Sequence, residues 1–209
     1  MTNYAETDGQ VNVATQKSRA AAANAQGHER PVAQVRAFFV RRRTFLALLA
    51  AFALVAIAQP QPGLLCAGLG LMALAHALRL LCTGYLDKDE KLVTCGPFGW
   101  CRNPLYIANL MVVVAFALMS GRLIVLPVML LMWVLTHAPT VAAEEEFLRD
   151  RFGGEFDSYC RAVPRWWPRR PAGANGGQFT WRRVIANGEH LNILSAWIVA
   201  AMFLVEMVR

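Results

Sequence analysis

Hydrophobic and polar positions along this chain alternate by whole segments rather than residue by residue. Apolar runs cover Thr44 to Ala58, Gly63 to Cys82, Leu105 to Met119, Leu123 to Val141 and Leu191 to Val208. Runs of roughly 18 to 20 apolar residues can cross the hydrocarbon layer, and a crossing segment must satisfy its own backbone hydrogen bonds, which makes it a helix. The pattern predicts an all-α, polytopic membrane protein with about five transmembrane helices. The first and third runs are short, so they need flanking residues such as Arg41 to Arg43 to snorkel, or extension into the headgroups. Only Ser120, Gly121 and Arg122 join the third and fourth runs, so the chain crosses and returns. The polar blocks flanking that hairpin, Thr94 to Tyr106 and Glu144 to Pro168, are therefore expected on one side of the membrane.

Outside the apolar runs, residues 1–35 are polar and without a period that would bury a face, and read as a disordered tail ahead of a helical domain over 36–209. The segment Pro168 to Gly177 is a loop by its proline and glycine content, and Phe179 to Asn187 reads as a short interfacial helix. The arginines and small residues around the first run are built like an export signal, but it is read as a retained span.

Composition strengthens the membrane reading. Of the residues, 56% are apolar and 17% charged, against about 25% charged in an ordinary soluble domain. The net charge of +7 follows the topology. Arg36 and Arg41 to Arg43 precede the first run; Lys88, Lys91 and Arg102 lie between the second and third; eight arginines from Arg149 to Arg183 lie between the fourth and fifth. By the positive-inside rule the N-terminus and both polar blocks are cytoplasmic. With no basic stripe interleaved with aromatics on a soluble face, no nucleic-acid partner is expected. Cys66, Cys82, Cys95, Cys101 and Cys160 show no CxxC or Cys/His zinc spacing and read as small packing residues, with no metal expected.

The first block has the parts of an anion site. Gly96-Pro97 makes a turn, Gly99 permits close backbone approach, Asn103 stands at the N-cap and Pro104 in the first turn of the next helix, and Arg102 adds a cation. A turn, a cap and an interfacial Tyr106 would look similar in any membrane hairpin. In the second block, Glu144 and Glu145 come directly off an apolar run, where carboxylates need a partner or a task. They suit a cationic ligand, or pair with Arg149 or Arg151 at a solvated helix end.

Together the blocks resemble the membrane methyltransferases that include isoprenylcysteine carboxyl methyltransferase and phospholipid N-methyltransferase. Those families carry GPxxxxRxPxY ahead of one helix and EExxL, FGxEYxxY and VP after the next; here the segments read GPFGWCRNPLY, EEEFL, FGGEFDSYC and VPRWWP. Asn103 stands where many isoprenylcysteine enzymes have His, and Ala108 where Gly is frequent; Asn103 is similar to bacterial and phospholipid-type members, which weakens an isoprenylcysteine substrate more than methyl transfer, and the expected location is a bacterial inner membrane. The resemblance implies S-adenosylmethionine held at the cytoplasmic end of the bundle, and a lipophilic acceptor (isoprenylcysteine-type carboxylate, phospholipid amine or thiol) entering from the bilayer. On that reading Gly96, Pro97, Gly99, Arg102, Asn103, Pro104, Tyr106, Glu144 and Glu145 bind the cofactor, with Glu145, Tyr106 and Arg102 as catalytic candidates. Carboxylates meet the cofactor's ammonium and sulfonium, while Arg102 and the amides of Gly96 to Gly99 meet its carboxylate. Arg79, His137 and Arg165 are candidates for the acceptor, and His76 a weaker one. A resemblance to the NADPH-dependent membrane sterol reductases gives a rival enzyme reading, carried by Gly99-Trp100 and Tyr159-Cys160; an inactive membrane scaffold is the non-enzyme alternative.

Overall fold

In hydrocarbon a backbone has no partner but itself, and each described apolar run is a helix. The computed structural model describes residues 49–86, 91–169 and 177–209, and all regular structure among them is helical. Helix α1 is described over 49–56. It is followed by α2 (Pro62–Tyr85), a 3-10 turn (Gly96–Gly99), α3 (Pro104–Met119), a second 3-10 turn (Leu123–Val125), α4 (Leu126–Phe152), α5 (Gly154–Ala162), α6 (Trp181–Ala186) and α7 (Glu189–Val208). Proline lies in the first turn of α2, α3 and α4, where its missing N–H breaks no helical bond.

Three helices, α2, α4 with its leading turn, and α7, are long and apolar enough to cross a membrane, while α3 is a shorter apolar helix of 16 residues. At 1.5 Å per residue α3 extends about 24 Å, short of the roughly 30 Å hydrocarbon core. The expected first span is described only from residue 49, and the expected tail over 1–35 lies outside the described residues, as does 170–176 of the expected loop. The short helix expected near Phe179 is α6.

The fourth apolar run ends at Val141 in hydropathy, but its helix does not. α4 continues through Phe152 with Pro139 inside it, because Ala142, Ala143 and the glutamates are good helix formers. Its length of about 40 Å exceeds the hydrocarbon thickness, so its last turns project beyond it. Glu144 and Glu145 thus sit on a continuous helix and keep a helical register with the residues on either side.

The apolar core lies between α1, α2, α3 and α7, built from Leu54, Val55, Leu65, Met72, Ala115, Met119, Val199, Ala200 and Phe203. Gly68 lets α2 and α3 touch closely: a Cβ there would lie 2.5 Å from Met119 Cγ and 2.8 Å from the Ala115 carbonyl oxygen. Of the three long helices, α2 is the most covered by protein and α4 the least. α7 is held to α2 by charge. Arg79 Nε and Nη2 donate to Glu189 Oε1 and Oε2 at 2.6 and 2.9 Å, and Nη1 donates to Asn109 of α3. Glu189 opens α7, where a carboxylate also meets the helix dipole. Just before it, Asn187 Nδ2 donates to the Thr83 and Leu86 carbonyls, closing the end of α2.

Removing one partner of a buried pair strands the other. Arg79 and Glu189 side chains are 12% and 1% exposed, so Glu189→Ala is expected to lower unfolding stability by about 3–5 kcal/mol. Glu206→Ala, which breaks the exposed pair with Arg209, should change it by under about 1 kcal/mol. Denaturant unfolding of detergent-solubilised protein distinguishes the two; equal losses would show that the buried pair does not anchor α7.

Candidate active site

The two polar blocks are stitched together by backbone. Gly96 turns the chain with φ +57°, and a Cβ there would lie 2.8 Å from the Tyr85 ring, so only glycine fits the turn. The following N–H groups are committed within the protein. Trp100 and Cys101 donate to the Pro97 carbonyl, and Arg102 donates to the Pro164 carbonyl at 2.8 Å. In return Arg169 donates to the Trp100 carbonyl at 2.9 Å, and the Tyr159 hydroxyl to the Phe98 carbonyl at 2.8 Å. The first block therefore lies along the segment that follows α5.

The second link is Glu145. Arg165 grips its carboxylate through Nε to Oε1 and Nη2 to Oε2, both at 3.0 Å. Asn103 Nδ2 reaches Oε1 at 3.4 Å and the Arg165 carbonyl at 3.2 Å, and Arg102 Nη2 lies 3.9 Å from Oε1. Asn103 occupies the N-cap of α3 as expected, but its side chain does not cap the helix, because its amide is drawn across to Glu145 and Arg165. Arg149 pairs with Asp157 at 3.3 Å on α5. Glu144 instead accepts from the Tyr106 hydroxyl at 2.9 Å.

These contacts enclose a cavity of about 350 Å³. Arg102, Asn103, Pro104, Tyr106, Glu144 and Glu145 all line it. Gly96, Pro97 and Gly99 form the 3-10 turn behind it, contributing Phe98 to the lining. Arg165 acts on the cavity through Glu145, and His137 lies behind Tyr106, ring to ring at 5.8 Å. Arg79 is not part of the lining and is engaged by Glu189 and Asn109; His76 packs on Trp197 at 6.2 Å, with Nδ1 buried and without a hydrogen bond.

The profile of the phospholipid methyltransferase family matches residues 51–155, half of the chain, taking in the first polar block and α4 through both glutamates. The chain belongs to the phospholipid methyltransferase family. It is 32% identical over 147 residues to the cobalt-zinc-cadmium resistance protein CzcN of Cupriavidus metallidurans, covering 69% of this chain and 67% of that protein. It is 34% identical over 108 residues to the nickel-cobalt-cadmium resistance protein NccN of Alcaligenes xylosoxydans xylosoxydans, covering about half of each. No solved structure matches.

Within this family member the cavity wall also holds residues that were given no role from the sequence, four of them, Leu148, Phe152, Phe156 and Tyr159, inside the EEEFL and FGGEFDSYC segments. Leu148, Arg151 and Phe152 follow Glu144 and Glu145 at helical spacing on α4, and Phe156 and Tyr159 lie three apart on α5. That period was available in the sequence once the helix was known to continue past Val141. Leu86, Lys91, Leu92 and Val93 come from the connection after α2, and carry no such pattern.

Two groups here resist ionisation. Burial pushes the Cys101 thiol up from its usual value of 9.0, and burial, helped by neighbouring cysteines, pushes the Tyr159 phenol up from 10.0. Both stay neutral in the folded state at pH values where the unfolded chain ionises. Stability is therefore full below about pH 9 and falls as pH rises past the unfolded-state values. In a pH series of thermal unfolding, Tyr159→Phe should lose about 1 kcal/mol at neutral pH through the missing bond to Phe98, and should show a shallower alkaline decline. An unchanged alkaline slope would remove Tyr159 from this account.

Proposed function

We propose that this protein transfers a methyl group from S-adenosylmethionine to a lipophilic acceptor within the membrane. The observation that carries the reading is the convergence of both polar blocks on one cavity whose wall combines two carboxylates, Glu144 and Glu145, with the cations Lys91, Arg102 and Arg151. Its volume is that of a small-ligand site. A zwitterionic cofactor bearing a sulfonium needs both signs of charge. Glu144, oriented by Tyr106, faces the ammonium or sulfonium; Arg102 faces the carboxylate; Phe98, Phe152 and Phe156 supply flat apolar surface for the adenine. Glu145, held by Arg165 and Asn103, fixes the two blocks in register and lends its charge to the same wall.

Methyl transfer is an in-line displacement in which the sulfonium loses its charge. Alignment and exclusion of water therefore matter more than a strong acid. The end of α4 supports both needs: its carboxylates lie where the helix leaves the hydrocarbon, on the side read as cytoplasmic, and its apolar length, with Leu131, Val134 and Leu135 exposed, faces the lipid from which an acceptor enters. CzcN and NccN are named for resistance to cobalt, zinc, cadmium and nickel, and we read the acceptor as a membrane component that matters under such metal load.

Calorimetric titration of the detergent-purified protein is expected to show binding of S-adenosylmethionine and none of NADPH. Glu144→Gln should weaken the cofactor at least tenfold, about 1.4 kcal/mol, and Glu144→Gln with Glu145→Gln should abolish binding while the protein still inserts and purifies. Unchanged affinity in the double variant would sink the site assignment, and NADPH binding alone would favour the reductase.

A further inference from the structure

Helix α6 has six residues, too few to hold a helix by its own backbone bonds. It is fastened instead to the cavity end of the bundle. Thr180 donates its N–H to the Gly84 carbonyl at 3.0 Å, Asn187 closes the other end on the Thr83 and Leu86 carbonyls, and Val184, 4% exposed, packs inward. The Phe179 ring fills the space that a Cβ on Gly84 would take, and meets Tyr85 at 6.1 Å and Trp181 at 5.1 Å.

These ties present an apolar face outward. Trp181 and Ile185, one turn apart, are each 64% exposed, and Arg182 beside them is exposed too. The face continues onto α7. Gly188 donates to the Ile185 carbonyl at 2.9 Å and Leu191 to the Gly188 carbonyl at 3.1 Å, after which the exposed Leu191, Leu194 and Ile198 form a stripe at spacings of three and four. Because α6 lies between the end of α2 and the start of α7, both long enough to cross a membrane, this stripe runs from headgroup level into the hydrocarbon.

The charge on the face has one sign. α6 carries Arg182 and Arg183 and no acid. Arg183 Nη1 donates to the Gln178 carbonyl, whereas the Arg182 side chain makes no hydrogen bond or ion pair among the described residues. Glu189, the first acid after them, is 1% exposed and holds Arg79. We propose that this face seats an anionic phospholipid, with its phosphate at Arg182 and its acyl chains along Leu191, Leu194 and Ile198. A zwitterionic headgroup brings its own cation and leaves the arginine charge unmatched. A second copy of the chain seated on the same face would bring the arginines of both together. None of these residues lines the cavity. The seated lipid is therefore a structural partner of the α6–α7 junction and not the methyl acceptor, and its binding requires no methyltransferase activity.

The test is native mass spectrometry of the full-length protein released from micelles holding equal amounts of dioleoyl phosphatidylglycerol and dioleoyl phosphatidylcholine. Expected are retention of phosphatidylglycerol in preference to phosphatidylcholine, a fall of about fivefold in that preference in Arg182→Gln, and its recovery in Arg182→Lys. Arg161→Gln, which removes an exposed arginine of α5, should leave the preference unchanged, and so separates the seat from a general attraction of basic residues to anionic lipid. Added phosphatidylglycerol should raise the thermal unfolding temperature of the wild type and not that of Arg182→Gln. Equal retention of the two lipids, no retained lipid, an undiminished preference in Arg182→Gln, or an equal loss in Arg161→Gln would each overturn the proposal. So would a wild-type dimer that Trp181→Ala dissociates, which would assign the face to a second copy of the chain. S-adenosylmethionine enters none of these readouts, so each outcome leaves the cofactor site as it stands.

Discussion

The candidate site depends on what happens to one carboxylate at the edge of the membrane. Glu145 comes at the end of a long apolar stretch and is mostly shielded, with 17% of its side chain exposed. A carboxylate in that setting must be matched by charge and hydrogen bonds. Arg165 supplies two N–H groups, Asn103 an amide, and Arg102 a nearby guanidinium. Because these partners come from before α3 and after α5, satisfying Glu145 draws both segments onto the end of α4. The backbone bonds from Arg102 to Pro164 and from Arg169 to Trp100 then hold them there. The cavity is the space left inside this closure.

A second charged node does similar work elsewhere in the bundle. Arg79, Asn109 and Glu189 tie α2, α3 and α7 within the apolar bundle. The two nodes share no residue, yet both act on α3: Asn103 precedes its first turn and Asn109 lies inside it. A helix too short to span the hydrocarbon unaided is thus fixed at its polar end by hydrogen bonds from two directions. The aromatic series Trp166, Trp133, His137 and Tyr106 carries the same order from the segment after α5 to the cavity wall. Rigid placement of this kind is what the proposed methyl transfer requires, since a misplacement of about 1 Å can cost about a hundredfold in rate.

The sequence expectations divide according to the range of the physics behind them. Helices in the apolar runs follow from a local rule about unsatisfied backbone, and the described runs obey it. The proline-marked starts of α2, α3 and α4 are local too. The fourth apolar run and its helix end at different places because hydropathy falls at Glu144 while helix propensity does not. The cap expected at Asn103 was assigned to the right position and the wrong bond, since a side-chain amide at a helix start chooses between local N–H groups and a distant carboxylate.

From the sequence alone came the helical class, the polar blocks flanking the α3–α4 hairpin, and a resemblance that the family match bears out. These rest on composition, spacing and local backbone rules, all written along the chain. Only the tertiary structure decided which arginine meets which glutamate. Arg149 and Arg151 lie at helical spacing from Glu145 and Glu144, yet it is Arg165, from beyond α5, that holds Glu145. It likewise separated Arg79 from the cavity wall and put the Tyr106 ring between His137 and Glu144. Charge partners are chosen by distance and desolvation in three dimensions, and one chain offers more nearby pairings than its fold can use.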